Sequence, residues 1–179
     1  MRGIWILLIT VVLFCGSLGI VQADSPIYRD GAHKLINVMM NEYCDPNNDI
    51  TVRNIKHLGL TEERGVKHDS YSMDFGTAEH TVNIRLLCNL NNGSVMKAKV
   101  FYDPQDNEAS DYSNIAVSMI EYCLGLSESE VDALWGANLV AIRNDLYTGH
   151  VWCNSLGTEL QVVAIQPNAN LIVYTFIAV

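Results

Sequence analysis

Basic residues are scarce in this chain. Lysine and arginine together number 11, against 20 aspartate and glutamate residues, which gives a formal net charge of −9 at pH 7. A chain this acidic repels phosphate backbones and anionic lipid headgroups. The composition therefore argues against nucleic acid and against an anionic membrane surface as partners. It favours a basic protein partner or a cation, although many exported proteins are acidic simply because charge keeps them soluble.

The motifs of common catalytic and metal sites are also missing. There is no Gly-x-Ser-x-Gly turn, no phosphate-binding glycine loop and no dinucleotide fingerprint. The five histidines lack the spacing of a metal-binding helix; they are His33, His57, His68, His80 and His150. His150 and Cys153 are three residues apart, so on one strand their side chains point to opposite faces. The sequence therefore assigns no catalytic residue, metal or cofactor. The alternative is a pair of carboxylates brought together only by folding, because such a pair leaves little signal in the spacing of residues.

Residues 1–23 have the pattern of a secretory signal peptide. Arg2 supplies a positive start, Ile4 to Phe14 is apolar apart from Thr10, and small residues precede a cleavage point near Ala23. The alternative is a membrane anchor, but spanning a bilayer takes about 20 apolar residues and this run is shorter. We expect a secreted or periplasmic protein whose mature chain has no membrane span.

Cys15 falls inside the signal, which leaves Cys44, Cys88, Cys123 and Cys153. An even number of cysteines in an exported chain predicts disulfides. If the two halves of the chain fold alike, the pairs are Cys44–Cys88 and Cys123–Cys153. Zinc is the alternative use, but the short Cys-x-x-Cys spacing of structural zinc sites is absent.

Three short segments occur twice, in the same order. Ile36–Cys44 returns as Ile115–Cys123, Leu58–Glu62 as Leu124–Glu128, and Cys88–Leu90 as Cys153–Leu156. Similar segments at similar spacing predict an internal repeat. We therefore expect an α+β fold made of two tandem pseudo-repeats, each with one or two helices packed on an antiparallel meander of about four strands. The expected boundaries are 24–104 and 111–179, with 105–110 as a linker.

The first half has clear local signals. Ser25-Pro26 predicts a helix start, and apolar residues at helical spacing continue to Tyr43. Asp45–Asp49 ends this helix as a turn; a calcium loop is the alternative, but the required glycine and distal glutamate are missing. Alternation predicts a short edge strand at Ile50–His57, strands at Tyr71–Phe75 and Val82–Leu90, and a hairpin turn at Asn91–Gly93, followed by a return strand.

The second half begins with a helix expected from about Asp111. Ser127 and Glu130 form the pattern of a capping box that starts another helix. Strands are expected at 138–143, Gly149–Ser155 and Glu159–Gln166. The last segment, Leu171–Val179, is almost continuously apolar, which predicts a central or doubly covered strand.

The run Gly125-Leu-Ser-x-x-Glu-Val-x-x-Leu-x-Gly136 resembles the β-lactamase inhibitory proteins and the related outer-membrane assembly lipoproteins. The resemblance covers about a dozen residues, and the first half keeps only Gly59-Leu60-Thr61 of it. It implies tandem helix-and-sheet modules that bind other proteins.

The alternation of the strands also predicts a binding surface. Arg85, Lys97, Lys99, His150 and Trp152 should point away from the buried side of the sheet. An exposed tryptophan beside basic groups is typical of a protein-binding hot spot. The alternative is that Trp152 is covered by the other repeat or by a loop.

These patterns support two functional hypotheses. The first is a non-catalytic secreted or periplasmic binding module, such as an inhibitor or an envelope interaction protein, with an unknown protein partner. The second is a small exported hydrolase whose carboxylate and histidine site is assembled in space. A deep acidic pocket drawing on both halves would favour the hydrolase, and a broad open sheet face would favour binding.

Overall fold

The computed structural model describes residues 25–136 and 145–179. The predicted signal at 1–23 and the predicted strand at 138–143 therefore lie outside the described residues. In chain order the elements are α1 (Ala32–Glu42), a short 3-10 turn (Pro46–Asn48), β1 (Thr51–Glu63), β2 (Val66–Gly76), β3 (Thr81–Cys88), β4 (Val95–Tyr102), α2 (Asn107–Leu124), α3 (Glu128–Gly136), β5 (Asp145–Cys153), β6 (Thr158–Asn168) and β7 (Leu171–Ala178).

The strands form one continuous antiparallel sheet in the order β1-β2-β3-β4-β7-β6-β5. The two halves of the chain join where β4 pairs with β7, from Lys97 opposite Ile177 to Tyr102 opposite Ile172. The expected α+β fold of two tandem pseudo-repeats, each with its own four-stranded meander, is therefore wrong. The protein is dominated by a single seven-stranded sheet. Two separate sheets would each leave an unpaired edge strand at this position, whereas the pairing of β4 with β7 satisfies both edges.

All three helices pack on one face of this sheet. The alternate positions Val82, Ile84 and Leu86 of β3 are fully buried beneath α2, as their alternation predicted. Other large buried side chains of the same core come from both halves of the chain: Leu35, Met39, Phe75, Met119, Ile120, Leu134 and Phe176. The opposite side of the sheet carries no helix among the described residues, and we call it the helix-free face.

Several local predictions are confirmed. The hairpin between β3 and β4 turns through Asn91–Gly93, where Gly93 has a positive φ of 72°. The capping box forms as expected: Ser127 N–H donates to Glu130 Oε2 at 2.7 Å, and Glu130 N–H donates to Ser127 Oγ at 3.4 Å. The apolar strand β7 is central, between β4 and β6.

Both long helices start elsewhere than expected. Tyr28 forms a bridge with Val95, which holds the segment before Gly31 extended, so α1 begins at Ala32 and not at Ser25-Pro26. α2 begins at Asn107, inside the expected linker, because the Asp106 carboxylate accepts the Ala109 N–H at 3.1 Å as an N-cap.

The hairpin of β1 and β2 is much longer than the predicted edge strand. It turns at Arg64-Gly65, where both residues have positive φ. Leu58, Leu60 and Val66 in this hairpin are exposed, so no hydrophobic alternation marked it in the sequence. Two register shifts in β1 bend the hairpin, as β-bulges do. As a result its end reaches over the helix-free face.

Candidate functional site

The structure places all five predicted surface residues on the helix-free face. Arg85 lies opposite Lys99 on β3 and β4. Lys97 begins a cross-strand row that continues through Ile177 on β7 and Gln161 on β6 to His150 on β5. Trp152 lies two residues further along β5. With strands about 4.8 Å apart, the basic end and the tryptophan end of this face are separated by roughly 14 Å.

The two lysines are less open than alternation suggested. Lys97 is only 7% exposed, and its Nζ lies 4.0 Å from Glu63 Oε2. Lys99 Nζ forms an ion pair with Glu63 Oε1. Glu63 comes from the end of the β1–β2 hairpin, which therefore anchors that end to the sheet. Both lysines lie on the predicted side of the strand, and the end of the hairpin partly covers them.

Arg85 has a different neighbour. Its guanidinium lies 5.1 Å from the centre of the Phe101 ring, a cation–π arrangement on the same face. The register also brings Lys56 of β1 opposite Ser72, in the row of Arg85 and Lys99. Five of the nine lysine and arginine residues that the structure describes lie on this face: Arg53, Lys56, Arg85, Lys97 and Lys99.

Sequence reasoning missed Phe101, Lys56 and Glu63. Phe101 was recoverable, because it alternates with Val100 and Tyr102 exactly as Lys97 and Lys99 do with their neighbours. Lys56 was placed in the predicted edge strand Ile50–His57, but the side of the sheet to which its side chain points was not predicted. Glu63 carried no local signal, since its contact depends on the bending of the whole hairpin.

Between these ends the face is apolar and half-buried. The side chains there come from β6 and β7 and are mostly β-branched: Val163, Ile165, Val173, Thr175 and Ile177. At the edge of the sheet Trp152 is 61% exposed. The alternative that a described loop covers Trp152 is therefore wrong. His150 beside it interacts with Glu159 at 3.3 Å and with Gln161 at 3.2 Å.

All four cysteines described are free thiols. Cys88 accepts the Ala32 N–H at the start of α1, whereas Cys44 Sγ contacts the Met39 carbonyl near the end of the same helix. Seven residues of helix separate Ala32 from Met39, a rise of about 10 Å, so the structure does not bring these two thiols together.

The second predicted pair lies closer together. Cys153 Sγ is 3.1 Å from Ser155 Oγ, which donates to the Leu124 carbonyl at 2.6 Å, next to Cys123. Both disulfides stay predictions that non-reducing peptide mapping would test. Burial raises the pKa of Cys88 and of Cys123 to about 11, so each thiol is protonated at neutral pH and is a poor nucleophile.

One small cleft in the first half is lined by His33, Asp30 and Asp69, and His57 contacts Asp69 and Tyr71 of its lining. His57 Nε2 lies 2.5 Å from Asp69 Oδ1 and its ring stacks on Tyr71 at 4.8 Å, while His33 meets the same tyrosine edge-on at 5.2 Å. The cleft has a volume of about 160 Å³ and reaches the buried Cys88. Across the described ranges, no group of three or more histidine, cysteine, aspartate or glutamate residues is placed to hold a metal ion.

A second, open cleft of about 320 Å³ lies between the β2–β3 turn and the start of α2. Its central interaction is between His80 Nδ1 and the Asp106 carboxylate, at 2.9 Å. The hydrogen bond with Asp106 raises the pKa of His80, and the same contact lowers the pKa of Asp106. The contact therefore favours the charged form of each group and links the β2–β3 turn to the start of α2.

No helix in the described parts of the chain is long and apolar enough to cross a bilayer. Comparison with known proteins found no matching family model, no matching curated protein and no matching solved structure. The functional argument therefore rests on the geometry of the helix-free face.

Proposed function

We propose that this protein is a non-catalytic binding module, exported to the periplasm or the medium, whose helix-free face docks an acidic segment of another protein. One observation supports this proposal. Trp152, an apolar strip and a basic row lie side by side on one sheet face that no described helix covers.

Charge selects the class of partner. The chain as a whole is acidic, but five described basic side chains and His150 lie on this face, against the carboxylates of Glu63, Asp74 and Glu159 and that of Asp49, which forms an ion pair with Arg53 at 2.9 Å. At physiological ionic strength the Debye length is about 8 Å, so local charges outweigh the net charge of the molecule. An acidic partner segment therefore suits the face better than the basic partner that net charge alone favoured.

Trp152 supplies the anchor for docking. A tryptophan buries roughly 150–250 Å² when a partner covers it. Truncating such an anchor commonly costs 2 kcal/mol or more of binding free energy. The β-branched strip beside it offers apolar surface that is already ordered by the sheet, so covering it costs little conformational entropy.

The hydrolase hypothesis gains less support from the geometry. A glycosidase-like site needs one carboxyl group whose pKa is raised so that it can act as an acid. At the cleft beside His80, the pKa of Asp106 is lowered. Burial raises the pKa of Glu121 on α2, but no second aspartate or glutamate is among the described residues that line the cavity beside it. The His80–Asp106 pair suits a structural clamp.

The direct test selects peptides from a random display library against the full-length protein. We expect the enriched sequences to combine acidic residues with an aliphatic or aromatic centre. Trp152→Ala should weaken the binding of a selected peptide at least tenfold. The matched control is Tyr122→Ala, because Tyr122 is also 61% exposed but lies on α2, on the other side of the sheet.

Charge provides a second pair of variants. Lys56→Glu on the helix-free face should weaken the selected peptide, whereas Lys67→Glu in the same hairpin should not, since Lys67 alternates onto the other face. Selection of no peptide above background, or equal binding to the Trp152 and Tyr122 variants, would contradict the proposed function.

A further inference from the structure

A third cavity lies on the helix-covered side of the sheet, away from the proposed docking face. It has a volume of about 310 Å³ and is enclosed by α2, α3 and β7. Its walls include Ser118 and Glu121 of α2, Trp135 of α3 and Tyr174 of β7. Cavities of this size that combine apolar walls with a few polar groups are typical of small-molecule sites.

Glu121 is the unusual residue of this cavity. Its side chain is only 6% exposed, and its Oε1 accepts a hydrogen bond from the Trp135 indole N–H. The structure describes no second hydrogen bond to this carboxyl group. Burial raises the pKa of Glu121, because the charged form loses water and gains only one donor in return. A buried carboxylate with unused acceptor capacity is costly unless a donor, and best a cation, meets it.

The aromatic walls favour the same kind of ligand. Trp135 and Tyr174 meet edge-on, with ring centres 6.0 Å apart. Tyr174 in turn stacks on Tyr102 at 5.9 Å, and its hydroxyl group bonds to that of Tyr102, which fixes the floor of the cavity. Faces of tryptophan and tyrosine attract cations through the ring quadrupole. No lysine or arginine is among the described residues that line the cavity.

We propose that this cavity is a binding site for a small organic amine, with its ammonium group on Glu121 and its apolar body against Trp135 and Tyr174. The ligand class follows from the lining: a cation pairs with the buried carboxylate, and a short apolar body fits the volume. This site is independent of the proposed docking face, which lies on the opposite side of the sheet.

Benzylamine and benzyl alcohol are matched probes, because they share the apolar body and differ in charge. Binding is followed by the NMR shift of the Trp135 indole N–H in the full-length protein, assigned with Trp135→Phe. We expect a saturable shift with benzylamine at about millimolar affinity, as ligand efficiency allows for so small a molecule. Benzyl alcohol should bind at least tenfold more weakly.

Two variants locate the amine. Glu121→Gln keeps the shape and the hydrogen bond from Trp135 but removes the charge, and should abolish the preference for benzylamine. The control is Glu42→Gln, at the matching position of the similar stretch in α1, where the side chain is exposed. Ser118→Phe fills the mouth of the cavity from an exposed position and should block both probes even if the Glu121 variant fails to fold.

Three results would overturn the proposal. One is equal affinity of the wild-type protein for amine and alcohol, which would make the cavity a neutral apolar site. Another is the absence of any saturable shift in the folded wild-type protein. The third is amine binding of unchanged strength in Ser118→Phe or in a folded Glu121→Gln variant.

Discussion

The two faces of the sheet use the same strands for different purposes. On the helix-covered face, side chains such as Val100 and Phe176 are fully buried. On the helix-free face, their immediate neighbours Lys99 and Ile177 remain partly accessible. Alternation along a strand therefore separates the residues that stabilise the fold from those available to a partner. Substitutions on the first face should change stability, and substitutions on the second should change binding.

The largest expected effect compares two adjacent residues of β7. Phe176→Ala should lower the free energy of unfolding by about 3–5 kcal/mol, because it leaves a cavity under the helices. Ile177→Ala, on the helix-free face, should lower it by about 1 kcal/mol, since Ile177 is only half-buried. Denaturant titration of both variants measures the difference, and equal losses would contradict the division between the faces.

The next effect concerns the hairpin end over the helix-free face. Glu63→Gln removes the negative charge that interacts with both Lys97 and Lys99. It should cost about 1–3 kcal/mol of unfolding free energy, as hydrogen bonds to charged groups do. The control is Glu62→Gln, because Glu62 is the neighbouring exposed residue. A Glu63 variant as stable as the Glu62 variant would show that the hairpin end is not anchored there.

A smaller effect should appear as a pH dependence of stability. The pKa of His80 is raised above its ordinary value of 6.5, so its contribution is complete below that pH and is lost as pH rises through the folded pKa. The pKa of Asp106 is lowered below 3.8, so its contribution is present above that pH and is lost as pH falls through the folded pKa. The clamp is therefore fully effective between about pH 4 and 6.5.

Asp106→Asn isolates this charge effect, because asparagine caps a helix about as well as aspartate. In the variant, the loss of stability above pH 6.5 should become shallower, while the stability at pH 8 changes little. Thermal unfolding across pH 4–8 measures it. A variant that keeps the full pH dependence would assign that dependence to other groups.

The smallest expected change in stability is that of the proposed anchor. Trp152→Ala should alter the free energy of unfolding by less than about 0.5 kcal/mol, because the side chain is mostly exposed. The same substitution should weaken peptide binding at least tenfold. A large loss of stability in this variant would mean that Trp152 is part of the core.

Local features were predictable, and long-range ones were not. The turn at Asn91–Gly93, the capping box at Ser127 and the central strand β7 follow from residues close together in sequence. The pairing of β4 with β7, which unites the sheet, joins residues 70 to 80 positions apart in sequence and leaves no local pattern. The predicted fold class was wrong because this long-range pairing could not be read from the sequence.

Two similar stretches illustrate the same limit. Ile36–Cys44 and Ile115–Cys123 match at six of nine positions, yet Glu42 is exposed and Glu121 is buried. The difference arises because α3 lies against α2 and brings Trp135 over Glu121. Sequence similarity alone therefore could not reveal the cavity beside Glu121.

The candidate surface was predictable in part, because strand alternation is a local property and exposure is not. Strand alternation correctly placed Arg85, Lys97, Lys99, His150 and Trp152 on one face. Their exposure could not be derived, because the bent β1–β2 hairpin determines which of them a partner can reach.

The most direct test of the docking face is an amide chemical-shift map of the full-length protein with a selected acidic peptide. The account predicts that the shifted amides cluster on β5, β6 and β7 around Trp152, Val163 and Thr175, and extend to Lys99. Shifts centred on α1, α2 or α3, with β5–β7 unchanged, would contradict it.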